Sequence, residues 1–143
     1  MKKTVLWKAT VLAVVLALVL ATLPTVSVFA ANDSNKKIED RWDNAVTAFE
    51  KQAMNHKAAH NMAENWLKTQ KNAKASEKAE MERHLATCNS ALASARMLVT
   101  SHPGFSASGK VLDRGQAIES IKLLTKYVQQ HAASVKNIKE HLK

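Results

Sequence analysis

Imidazole and thiol side chains are the groups in this chain best suited to hold a transition metal, and they occur at repeated spacings. His56 and His60 stand four residues apart in the stretch 54–67, MNHKAAHNMAENWL, and His84 and Cys88 repeat that step further along. Residues four apart share one face of a helix, so two such faces turned toward each other can converge on one ion. Imidazole nitrogen and thiolate sulfur are donors that zinc and copper favour. His56, His60, His84 and Cys88 would make a closed set of four ligands, with His131 as a fifth ligand or a support. A closed set implies a structural or storage role, because chemistry on a substrate needs an open position. Glu64 and Glu80 lie one turn beyond, where carboxylates can hold the outer ring nitrogens.

Each residue also has a plainer account. Histidines at the edge of a helical core satisfy their ring nitrogens with carbonyls, carboxylates or water. A buried cysteine is ordinarily a small hydrophobe. What raises the metal reading above this is the placement of all five residues at one level, which depends on the helices that carry them.

From residue 35 to residue 102 there is neither glycine nor proline, and alanine, lysine, glutamate and leucine are plentiful, which is helical composition. Residues 32–35 offer N-cap side chains, and the periodicity predicts a first helix over about 36–72. Its apolar seam reads Val46, Phe49, Ala53, His56, His60, Ala63 and Leu67, extended by Trp42 and Ile38. A turn follows at 72–76, with Ser76 as the expected N-cap of a second helix over 77–101. That helix carries the seam Met81, Leu85, Cys88, Leu92, Ala95 and Val99. Pro103, Gly104 and Gly109 mark 101–112 as a loop, and Asp113 with Gln116 forms a capping-box pattern that starts a third helix over 114–142. Its seam runs Ile121, Leu124, Val128, His131, Val135, Ile138 and Leu142. The fold expected is an all-α, antiparallel up-down-up three-helix bundle. One continuous coiled-coil helix through 35–101 is the alternative.

In such a bundle a turn centred on Asn72 sets His60 opposite His84 and His56 opposite Cys88. A second loop centred between Ala107 and Ser108 sets His131 opposite His84. Three of the four histidines, and the cysteine, then occupy seam positions.

The first thirty residues stand apart from this domain. Lys2, Lys3 and Lys8 precede an apolar or small-residue run over 11–23, Pro24 breaks it, and Val28-Phe29-Ala30 supplies a small-residue cleavage signature. This is the pattern of a secretory signal peptide cut after Ala30, and the run is shorter than the roughly 20 apolar residues of a membrane span. The expected location is therefore extracytoplasmic: secreted, periplasmic or on the cell envelope. The 31–143 remainder is the size of one domain, and its single cysteine excludes an internal disulfide framework.

The chain has a formal charge of +9, and removing the three leader lysines leaves +6. Lys122, Lys126, Lys136, Lys139 and Lys143 make the third helix basic, which fits either contact with an anionic envelope surface or an ordinary solvated face. Nucleic acid is excluded as an expected partner for an exported chain with few aromatics and no recognisable module. Covalent haem lacks its Cys-x-x-Cys-His sequence, and non-covalent haem between His131 and a methionine is disfavoured. No nucleophile elbow or phosphate-binding loop frames the serines, so no enzyme activity is expected. The composition thus points to an exported binding protein whose partner is a zinc or copper ion. The rival is a structural module that takes another protein chain or a second copy of itself.

Overall fold

The computed structural model describes residues 34–143; the leader, with its expected cleavage site after Ala30, lies outside the described residues. Three helices and no strand are present among these residues: α1 (Asn35–Thr69), α2 (Ala75–Ser101) and α3 (Arg114–His141). Each helix packs against both of the others to form a bundle. No helix of the described residues is long and apolar enough to cross a membrane.

The helix boundaries follow from local chemistry. Ser34 caps α1, its hydroxyl accepting the Lys37 N–H at 3.3 Å, so the cap falls within the expected 32–35 window. The first connection covers 70–74, two residues earlier than the expected 72–76, and α1 ends at Thr69 rather than 72; its midpoint is Asn72, the centre that sets His56 opposite Cys88. Its cap differs from the expectation: Lys74, not Ser76, precedes α2, and its backbone N–H is held by the Glu77 carboxylate at 2.8 Å. The carboxylate does the capping work, so no hydroxyl is needed. Asp113 caps α3 by accepting the Gln116 N–H at 2.8 Å.

The connection between α2 and α3 is a folded unit. Phe105 and Val111 form an isolated antiparallel bridge, and the Phe105 ring stacks on Trp42 of α1 with centroids 4.6 Å apart. The Gly104 carbonyl accepts the N–H groups of Leu112 and Asp113. Gly104 has φ +83, and a side chain there would meet the Ala117 backbone. Ser120 donates to the Pro103 carbonyl at 2.8 Å. The loop therefore lies alongside the first two turns of α3, which makes those turns overlap the loop and sets how far α3 slides relative to α2.

The buried positions of α1 are Ile38, Trp42, Ala45, Phe49, Gln52, Ala59 and Ala63. Steps of four and three link them, with His56 filling the place between Gln52 and Ala59. The expected seam agrees at Ile38, Trp42, Phe49, His56 and Ala63 and is off by one residue at three places: Ala45 replaces Val46, Gln52 replaces Ala53 and Ala59 replaces His60. On α2 the buried set is Met81, Cys88, Ala91, Leu92 and Ala95, and on α3 it includes Ile121, Leu124, Val128, His131, Val135 and Ile138.

These side chains form two apolar clusters. One gathers Ile38, Trp42, Phe49, Leu92, Phe105, Leu124 and Val128 toward the α2–α3 loop. The other gathers Ala59, Ala63, Met81, Cys88, Val135 and Ile138 toward the first turn. Gln52, His56 and His131 fall between the two clusters along their helices and form a polar layer at the level of Cys88.

Candidate metal centre

The polar layer draws one donor from each helix. His56 of α1, Cys88 of α2 and His131 of α3 each point a ligand atom inward, and the three atoms lie within 4.8 Å of one another. His56 Nδ1 is 3.0 Å from His131 Nε2 and 3.6 Å from Cys88 Sγ. Cys88 and His131 are buried, at 0% and 1% exposure, while His56 is half-buried and forms the side of the group nearest solvent.

Gln52 orients this group. It is buried one turn before His56, and its Oε1 lies 3.0 Å from His131 Nδ1. An amide oxygen only accepts, so His131 carries its proton on Nδ1 and turns the Nε2 lone pair toward His56 and Cys88. The proton of the His56–His131 contact then sits on His56 Nδ1. This is the arrangement in which a neighbouring carbonyl fixes the tautomer of a metal-ligating histidine.

Burial sets the protonation states. It pushes the His131 imidazole down to about 4, with the nearby His56 adding to the effect. His56 is lowered for the same first reason, then by the charges of His60 and Arg96. Burial also raises the Cys88 thiol to about 11. Near neutral pH the layer is therefore two uncharged imidazoles and a protonated thiol. Uncharged imidazoles are competent ligands once the His56 proton shifts from Nδ1 to Nε2, and the thiol proton is then the one proton an incoming ion would release. An ion about 2.0 Å from each nitrogen in a trigonal arrangement holds them about 3.5 Å apart, so the observed 3.0 Å asks for about half an ångström of opening.

The remaining sequence-predicted residues lie outside this group. His60 sits on the flank of α1 rather than in its seam. Its Nδ1 is 3.2 Å from Asn89 Oδ1, its Nε2 is 3.3 Å from Glu64 Oε1, and its ring centroid is 5.7 Å from that of His56. Glu64 thus holds an outer imidazole nitrogen as expected, but that of His60. Glu80 plays the corresponding part for His84 at 3.6 Å. His84 was expected opposite His131. Instead it lines a surface cavity of about 480 Å³ with Glu80, Arg83, Asn137, Glu140 and His141. His131 meets Cys88, so α3 stands one helical turn from the expected register. The cause is the overlap of the α2–α3 loop with the start of α3, which a symmetric loop would not produce.

Lys122, Lys126, Lys136 and Lys143 are exposed and Lys139 is half-buried. Lys122 pairs with Glu119 and Lys136 with Glu140, so the face mixes both signs.

Gln52 is the residue that sequence reasoning missed. Its signal was present: it stands three residues after Phe49 and four before His56, a core position held by an amide. Choosing Ala53 for the seam, as the more apolar neighbour, concealed it. Comparison of the chain with protein-family models, with curated proteins and with solved structures finds no match.

Proposed function

We propose that this chain is an exported, non-enzymatic helical-bundle protein that coordinates one zinc or copper ion through His56, Cys88 and His131, with Gln52 as the orienting residue. The observation that carries the reading is the convergence of three ligand atoms from three helices within 4.8 Å, inside a core that is otherwise largely apolar. A histidine satisfied by the fold alone needs one partner per buried nitrogen. Here His56 Nδ1 approaches both His131 and Cys88, a geometry that an ion would satisfy more fully than hydrogen bonds do.

The bundle order in this reading is up-down-up and antiparallel. Contacts of Arg114 with Asn35, and of His141 with Trp66, support it by pairing the starts and the ends of α1 and α3. Export is read from the leader, and the compartment matters because a buried thiol ligated to metal is protected from oxidation.

Metal content by mass spectrometry, with titration of the Cys88 thiol, tests the proposal. The expected result is near one equivalent of zinc or copper per chain and a thiol that reacts only after chelation. Cys88→Ser and His56→Ala should lose the ion while keeping the helical circular dichroism. Protein that is metal-free and takes up neither added ion would sink the idea.

A further inference from the structure

The donor set permits a choice between the two candidate metals, and charge decides it. We infer that the site selects monovalent copper over zinc, held trigonally by His56 Nδ1, Cys88 Sγ and His131 Nε2. This deepens the metal reading and rests on it.

Three observations carry the choice. First, the number of donors is three. Among the described residues no carboxylate joins the group, and the flanking histidine, His60, is turned to Asn89 and Glu64. Zinc in a structural site takes four protein ligands, whereas monovalent copper is content with two or three. Second, the charge balances only for a monovalent ion. Two neutral imidazoles and one thiolate carry −1, so Cu(I) leaves the layer neutral while Zn(II) leaves a net positive charge between two apolar clusters. Among the described residues no carboxylate stands within the group to offset that charge. Glu64 is engaged by His60 and Lys68, Glu80 by Arg83 and His84, and the field of Arg96 at His56 is itself positive. Third, the thiolate is the softest donor a side chain offers, and it is fully buried in the apolar cluster that includes Met81 and Val135, in surroundings suited to a soft, weakly hydrated ion.

Loading balances simply. The sulfur–hydrogen bond of Cys88 breaks, a sulfur–copper bond forms, and one proton leaves to solvent. The His56 proton moves from Nδ1 to Nε2, which frees the Nδ1 lone pair for the ion. No electron is transferred. His56, the half-buried member, lies between the buried pair and the exposed flank where His60 stands, and so marks the side from which the ion arrives.

The test is an anaerobic titration of the purified protein with Cu(I) against a colorimetric Cu(I) chelator, with Zn(II) titrated in parallel. X-ray absorption is then measured on the loaded protein. The expected result is one Cu(I) per chain, with a shell of two nitrogens and one sulfur, not displaced by zinc in roughly hundredfold excess. Cys88→Ser should abolish this uptake. Should that variant lose its helical signal, the sulfur in the wild-type spectrum decides the matter directly. Zinc that displaces copper, or binds with a four-ligand shell, would overturn the monovalent choice and leave the metal reading standing. An intense thiolate-to-copper(II) absorption that persists in air would also overturn it, since the site would then hold a divalent ion. Failure of both ions to bind removes both proposals.

Discussion

His131 shows how one residue ties stability to protonation. In the unfolded chain its imidazole titrates near 6.5, and burial in the bundle brings it to about 4. Between those values the unfolded chain binds a proton that the folded chain refuses, so stability is complete above about pH 6.5. It falls as the pH drops toward 4 and is level below that. The shift corresponds to about 3 kcal/mol for the metal-free protein. Urea denaturation at several pH values, with chelator present, should show this loss. His131→Gln should flatten the dependence over the same window, since its amide does not titrate. A wild-type curve no steeper than that of the variant would show that His131 does not carry the effect. His56 is lowered as well and adds in the same direction.

At the scale of elements, the loop between α2 and α3 matters as much as the helices. Gly104 holds φ +83, and a Cβ there would come 2.3 Å from the Ala117 nitrogen and 2.8 Å from the Asp113 oxygen, both backbone atoms that cannot turn aside. Gly109 holds a similar φ of +77, but its nearest neighbour would be an Asp43 side-chain oxygen at 3.7 Å. Gly104→Ala should therefore cost about 3 kcal/mol or more, and Gly109→Ala about 1 kcal/mol, in urea denaturation. Similar losses in the two variants would mean that the loop is not pinned to α3. The comparison bears on the site, because the same contact holds His131 level with Cys88. The seam of α3 is legible in the sequence, since leucine, valine and isoleucine recur there at steps of three and four; that of α2 is legible in part, for Leu85 and Val99 are only half-buried and Ala91 joins the buried set. On α1 the small residues Ala45, Ala48, Ala53 and Ala59 crowd adjacent faces. Periodicity alone therefore favours Val46, Ala53 and His60 at three places where the bundle buries the preceding residue, while Ile38, Trp42, Phe49 and Ala63 fall as expected.

For the molecule as a whole, the polar layer divides the core into two apolar clusters. Three donors on three helices mean that a bound ion joins all of them at once. A ligand that binds only the folded state stabilises it by mass action, by about 2.7 kcal/mol at a free concentration one hundred times its dissociation constant. Thermal denaturation with the ion buffered at that level should show a higher midpoint than the metal-free protein. Cys88→Ser should show no difference between the two conditions. An equal rise in the variant would place the binding elsewhere on the surface. Uptake should also weaken as pH falls, because loading releases the thiol proton and acid protonates the imidazoles.

Composition and periodicity were sufficient for the three helices, the turn centred on Asn72, and the pairing of His56 with Cys88. Each depends on local signals: helix formers without glycine, caps, and a short connection whose midpoint sets the register. The place of His131, the withdrawal of His60 and His84, and the part of Gln52 were decided only in three dimensions. His131 reaches Cys88 because the second loop folds against α3 and displaces it by one turn. His60 leaves the layer because α1 turns Ala59 into the core, and the next residue along a helix stands about 100° further round, on the flank beside Asn89. Gln52 enters because a buried imidazole needs an acceptor for its proton, and only the packed bundle shows which acceptor is near.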